Sequence, residues 1–223
     1  MNNRKLPGGA MSKRPLHFIF LLDASGSMNA DGKIEALNTA IRVAIPAMRE
    51  AAAKNPGVQL LVRAITFATG ARWHLAEATA IDSLRWTDVV AGGETHMGKA
   101  LEMAADALKE EHMGARALPP VLILVSDGRP NDDFNSGLAK LMAEHWGQAA
   151  VREAVPIGSD AGLKYLQRFI GDDERKPVPA TRPEALVERI RVVSTAAIQM
   201  ASEPLKPGPG LEEPAEDTSG SIW

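Results

Sequence analysis

Two stretches without a single polar residue, Phe18 to Leu22 and Val121 to Val125, each give way within two residues to an aspartate. A run this short and this apolar suits a strand covered on both faces, which is the usual environment of a central strand in a parallel sheet. Between and beyond the two runs, apolar segments alternate with helical spacing. Ile34, Leu37, Ile41, Ile45 and Met48 recur on one face of a helix reaching Lys54, which Pro46 is expected to kink or shorten. Residues 58–67 read as a second strand and 72–75 as a short third, joined in a hairpin across Ala68-Thr69-Gly70. Met97, Leu101, Ala104 and Leu108 mark another helix. Weaker patterns predict helices over 134–146, 161–169 and 183–200, a strand within 149–157, and an edge strand near Val178. Such alternation predicts an α/β fold: a doubly wound, mostly parallel six-stranded sheet with helices on both faces. Ligands of such sheets bind off the carboxyl ends of the strands where the strand order reverses, and Asp23 and Asp127 would both lie at that edge.

With 223 residues, 45% of them hydrophobic, the chain can bury a full core within one domain, taken as residues 15–202. Residues 1–14 carry Arg4, Lys5, Lys13 and Arg14 and read as a flexible basic leader. Residues 203–223 are rich in Pro, Gly and Glu and read as a disordered acidic tail, closed by an apolar Ile222-Trp223 that could dock on a partner. There is no cysteine, which excludes thiolate metal sites and a disulfide scaffold. No apolar stretch approaches the ~20 residues that span a bilayer. The expectation is a cytoplasmic protein acting away from membranes. A formal charge of −3 leaves a mildly acidic body between the basic and acidic ends, which argues against nucleic acid as the ligand.

Three separate segments carry the candidate chemistry. Asp23-Ala24-Ser25-Gly26-Ser27 offers one carboxylate and two hydroxyls, with Gly26 letting the turn curl so that alternate side chains converge. Thr95 lies in Gly92-Gly93-Glu94-Thr95-His96-Met97-Gly98, and Asp127 in Ser126-Asp127-Gly128. Oxygens of this kind suit a hard cation such as Mg²⁺, which keeps several waters and needs no cage of acids. Asp-x-Ser-x-Ser alone is weak, because these are common turn formers, but the three-part pattern is specific. Asp31, Asp132 and Asp133 read as solvated loop acids, with a partner surface as the alternative. Glu94 could face solvent, tune a metal or compete for its open position, and His96 reads as a rim residue.

These segments resemble the von Willebrand factor A domain, whose metal-ion-dependent adhesion site follows Asp-x-Ser-x-Ser, then Thr, then Asp. The likeness runs from about Pro15 to Ser202 and includes Gly98-Lys99-Ala100-Leu101, where the family has Gly-x-Ala-Leu. It departs at Glu94, where the family's usual Gly-Gly-Thr reads Gly93-Glu94-Thr95. The resemblance implies a Rossmann-like fold and a divalent cation, Mg²⁺ with Mn²⁺ or Ca²⁺ as alternatives, held by Asp23, Ser25, Ser27, Thr95 and Asp127. Within the family the chain is most similar to bacterial TerY-type proteins of tellurium resistance. That likeness rests on Leu21-Leu22-Asp23-Ala24-Ser25-Gly26-Ser27-Met28, Ala64-Ile65-Thr66-Phe67, the run from Ser126 to Asp133, and Val193-Ser194-Thr195. It implies a stand-alone cytoplasmic module of a stress or defence system, whose partner supplies a Glu or Asp to the metal, with a protein kinase or PP2C-type phosphatase among the partners implied.

Two other classes stay open at this level. A phosphoryl-transfer enzyme would use the metal, but Ser25 stands where haloacid-dehalogenase-type phosphatases need a second Asp, and neither a phosphate loop nor a nucleophile elbow is present. A scaffold would bind through helix faces or the tail, independently of any cation.

Overall fold

Residues 13–158, 162–177 and 179–202 are described by the structure, a computed structural model. The predicted leader, apart from Lys13 and Arg14, and the predicted tail lie outside these residues. The first apolar run forms β1 (Arg14–Asp23), buried from Leu16 to its end. It therefore opens one residue inside the segment read as leader. A 3₁₀ segment, Gly26–Gly32, leads into α1 (Lys33–Ala53), followed by β2 (Val58–Ala68) and β3 (Gly70–Ala80). Then come α2 (Met97–Ala107), α3 (Glu110–Met113), β4 (Val121–Ser126), α4 (Phe134–Ala143), α5 (His145–Ala149), β5 (Val151–Pro156), α6 (Leu163–Ile170) and α7 (Pro183–Ser202).

The strands lie in the order β3-β2-β1-β4-β5, with β3 antiparallel to β2 and every other pair parallel. The chain crosses from β1 outward to β2 and later returns to the other side of β1 with β4. The strand order thus reverses between β1 and β4, which opens a crevice at their carboxyl ends. Alternate residues of the central strands serve two cores. Phe18, Phe20, Leu22, Val62, Ile123 and Val125 pack beneath α1 and α7, while Ile19, Leu21, Ile65, Phe67, Leu122 and Leu124 pack beneath α2, α4 and α6. Phe18, Phe20, Phe67 and Phe169 have no meaningful exposure, and each stabilises the fold by about 1.5–3 kcal/mol relative to an exposed ring.

Four expectations need correction. Among the described residues the sheet has five strands, not six: Val178 lies outside them, and near it only Ala180 pairs, as an isolated parallel bridge with Ile157. Pro177 and Pro179 flank that position and have no N–H to give a ladder. Secondly, β3 is 11 residues long rather than four; its exposure is mixed because it is an edge strand with a bulged register against β2, so no clean alternation marks it. Thirdly, Pro46 does not shorten α1, which runs on to Ala53; it lies on the exposed side of the helix, where the carbonyl that loses a donor can meet water. Lastly, the predicted 134–146 helix breaks at Glu144, whose φ/ψ of −78°/136° is extended. A Cβ on Gly147 would stand 1.8 Å from the Leu141 carbonyl oxygen, so the chain folds back there more tightly than a continuous helix allows.

Among the described residues no helix is long and apolar enough to cross a membrane.

Candidate metal centre

At the carboxyl ends of β1 and β4 the structure assembles oxygens from the two loops into one hydrogen-bonded chain. Asp23 is fully buried; its Oδ2 accepts the Ser126 hydroxyl at 2.5 Å and its Oδ1 accepts the Ser25 amide at 2.8 Å. Ser25 Oγ and Ser27 Oγ stand 3.0 Å apart, and Ser27 donates to Asp127 Oδ1 at 2.7 Å. Thr95, also buried, approaches from the third loop: a Cβ on Gly128 would meet its Oγ1 at 3.9 Å. All five residues singled out in the sequence therefore converge on one crevice.

The spacing can be tested against the ion such donors would take. An octahedral cation with oxygens at about 2.0–2.1 Å has neighbouring ligands about 2.9 Å apart, and a larger one with oxygens at 2.3–2.6 Å spreads them to about 3.5 Å. The 3.0 and 2.7 Å separations of Ser25, Ser27 and Asp127 are hydrogen-bond distances, which bring the three close enough to share an ion of either size. Two carboxylates and neutral hydroxyls are also the donor types a hard cation prefers. Among the described residues no group of three or more acidic or histidine side chains could hold a metal ion, so a cation site among them depends on hydroxyls. Burial pushes the Asp23 carboxyl above the ordinary carboxylate range, and the nearby charge of Asp127 adds to the rise, while hydrogen bonds from Ser126 and Ser25 offset part of it. A positive charge in the crevice would relieve that desolvation.

The supporting contacts are mostly backbone. Gly26 donates to the Gly93 carbonyl at 2.9 Å, and Gly92 donates to Ala24 at 2.7 Å, which ties the first loop to the second. A side chain at Gly93, where φ is 89°, would strike Thr69 Oγ1 at 2.7 Å. On the other side, Asn131 Oδ1 accepts the Thr95 amide at 2.8 Å and the Asn131 amide donates back to the Thr95 carbonyl at 2.9 Å. Asp132 accepts from the Gly98 and Lys99 amides at 2.9 and 2.8 Å, and Asp133 accepts from Ser136 at 3.0 Å. Asp132 and Asp133 thus cap α2 and α4 instead of standing as free loop acids. An Asp132→Ala variant is expected to lose about 1 kcal/mol of stability, read as a lower denaturation midpoint in urea.

Glu94 does not reach for the crevice: its Oε2 lies 2.6 Å from His96 Nε2, and its side chain is 61% exposed. His96 Nδ1 accepts the Gly70 amide at 2.8 Å, so the ring proton belongs on Nε2, facing Glu94. His96 is a rim residue, as its position in sequence suggests, and it fastens the β2–β3 turn.

Sequence reasoning assigned no role to Ser126, Asn131 or Lys33. Lys33 Nζ sits 2.7 Å from Asp127 Oδ2. A lysine opening a helix runs against the helix dipole, and that was the available signal. Asn131 had none, because its partner Thr95 is 36 residues away.

A doubly wound sheet that gathers Asp23, Ser25, Ser27, Thr95 and Asp127 at its switch point defines an α/β domain with a candidate metal centre. The family profile of the von Willebrand factor type A domain matches residues 18–129, and the chain belongs to that family. Among solved structures it is similar to a von Willebrand factor type A protein from Catenulispora acidiphila (TM-score 0.62, 19% identity, covering 84% of this chain and 43% of that one). It is also similar to the ArnB paralog VWA2 from Sulfolobus acidocaldarius (TM-score 0.59, 16% identity, 81% and 45% covered). A third likeness is to proximal thread matrix protein 1 of the mussel byssus, solved with a zinc-occupied MIDAS motif (TM-score 0.58, 19% identity, 84% and 46% covered). The chain spans less than half the length of each of these three, and at such identities the likeness is one of fold.

Proposed function

We propose that the chain is a metal-dependent protein–protein interaction module. Asp23, Ser25, Ser27, Thr95 and Asp127 would hold one divalent cation, Mg²⁺ in preference to Mn²⁺ or Ca²⁺, and a Glu or Asp of a partner protein would complete its coordination. The observation that carries this reading is the unbroken run Ser25–Ser27–Asp127, whose oxygens lie within hydrogen-bond reach of one another beside a buried carboxylate. When bound, the cation supplies a charge that a partner's carboxylate can meet directly and directionally. The chain's own part is to keep its hydroxyls and carboxylates aligned before the partner arrives. Binding is favoured over catalysis because the one histidine of the site loops, His96, has both ring nitrogens engaged with Gly70 and Glu94. It is not available as a base for Ser25 or Ser27.

The finer setting is part of the same proposal. The TerY-like residues in and around the site favour a cytoplasmic role in a bacterial stress-response or defence system, with a kinase or PP2C-type phosphatase as partner.

The expected result is that the full chain captures its partner from cell extract in Mg²⁺ and releases it in EDTA, while Asp23→Ala captures nothing under either condition. In parallel, a cation at 100 times its Kd adds about 2.7 kcal/mol, a rise in Tm of roughly 5–10 °C for a domain of this size. Capture that persists in EDTA, or a Tm indifferent to Mg²⁺ and Mn²⁺, would overturn the reading.

A further inference from the structure

The Lys33–Asp127 pair differs from the other ion pairs of the described residues in where it lies. Its side chains are 22% and 2% exposed, whereas those of Lys54–Glu50 are 66% and 72% exposed. Lys33 is the first residue of α1, where unpaired helix N–H groups disfavour a cation, so its own helix gives no reason for a lysine. The lysine stem passes Gly158, where an added Cβ would lie 3.6 Å from Lys33 Cε, and the ammonium also approaches the Ser27 carbonyl at 3.5 Å. The two oxygens of Asp127 are shared out, with Oδ1 turned to Ser27 and Oδ2 to Lys33. Oδ1 is thereby presented to the crevice and Oδ2 is withheld from it.

Among the groups in direct contact here, the charges do not balance without a further anion. A divalent ion on the carboxylates of Asp23 and Asp127 is neutral overall, and Lys33 leaves one positive charge. Glu94 does not cancel it from within, because its carboxylate is turned outward to His96 and is largely solvated. A single carboxylate from outside does. We propose that Lys33 is a charge-setting and positioning residue of the metal centre, which weakens the hold on the divalent ion itself and strengthens the hold of the loaded site on a partner's monoanionic carboxylate. Like charges across one carboxylate oppose ion uptake, and the same surplus charge draws the acid in. This inference rests on the reading of the crevice as a metal-dependent binding site and names what that site selects. It accounts for a lysine in an acidic metal pocket, which a simple cation trap would exclude.

The test uses the full chain and two substitutions, Lys33→Met, which keeps the stem and removes the charge, and Lys33→Arg, which keeps the charge. Mn²⁺ binding is titrated by calorimetry, and acetate binding to the Mn²⁺-loaded protein is read from broadening of the acetate methyl signal in NMR. Lys33→Met is expected to bind Mn²⁺ about tenfold more tightly and, once loaded, to bind acetate about tenfold more weakly, while Lys33→Arg stays near wild type on both counts. A residue that merely held Asp127 in place would weaken Mn²⁺ binding when lost, so weaker or unchanged Mn²⁺ affinity in folded Lys33→Met overturns the proposal. Unchanged acetate binding overturns it equally. If Lys33→Met does not fold, Lys33→Gln gives the same two readouts. Should wild type itself take up no Mn²⁺, the reading of the crevice fails first, and the role of Lys33 with it.

Discussion

Asp23→Asn is expected to abolish the response to divalent cations while leaving the metal-free fold at least as stable as wild type. The asparagine is nearly isosteric, its oxygen can accept the Ser25 amide, and its amide group can donate to the Ser126 hydroxyl, which already accepts from Gly128 at 3.2 Å. What disappears is a buried negative charge. Its removal costs the ion one of two carboxylates, and because charge count moves the affinity of oxygen-ligated sites over decades, a loss of about 100-fold or more is expected. The stability effect has a defined sign. Burial raises the folded-state pKa of Asp23 above its unfolded value, so the protonated form suits the fold, and wild type without metal loses stability as pH rises through the folded pKa. Asp23→Asn escapes that loss. Its Tm should exceed that of metal-free wild type at pH 7, and the gap should close on acidification toward the unfolded value of about 3.9. Thermal melts with EDTA and with Mn²⁺, at both ends of that range, check both halves. A variant that is less stable at pH 7, or that still gains from Mn²⁺, contradicts the account of Asp23.

Gly137→Val is expected to be among the most damaging single changes away from the crevice. A Cβ at Gly137 would lie 2.3 Å from the Gly98 carbonyl oxygen and 2.8 Å from its Cα, so α4 meets α2 backbone to backbone. Main chain cannot rotate out of the way as a side-chain tip can. The cost should reach the upper end of overpacking, about 3 kcal/mol, and a branched residue inside a helix adds slightly to it. Thr95 lies three residues before Gly98 and is braced by Asn131 just ahead of α4. Any sliding of the helices therefore reaches the crevice, and cation affinity should fall together with the urea midpoint. Wild-type stability with Val at this position would show that the two helices can part without cost.

The legibility of the chain divides along physical lines. Central strands could be read because burial on both faces leaves only apolar residues, as in Phe18 to Leu22 and Val121 to Val125. The convergence of Asp23, Ser25, Ser27, Thr95 and Asp127 could be read because a doubly wound sheet brings those strand ends to one edge. Less was visible at the periphery. The length of β3 escaped because an edge strand half in water has no strict alternation. Pro46 misled because the cost of a helical proline depends on what its missing donor leaves behind, and here that side is exposed. Asp132 was read as a solvated acid, although both oxygens take amides from a helix 33 and 34 residues earlier in the chain. Long-range partnerships of that sort are set by packing, and no local pattern announces them.

Residues 92 to 98 are bonded through main chain to the turn after Asp23 on one side and clasped by Asn131 and Asp132 on the other. That stretch acts as a keystone between two abutments. For the cation proposed above the consequence would be kinetic: with the loops held by a frame, little main chain would have to rearrange on loading. The tempo of ion capture would then fall to the slowest partner, the hydrated cation shedding its water.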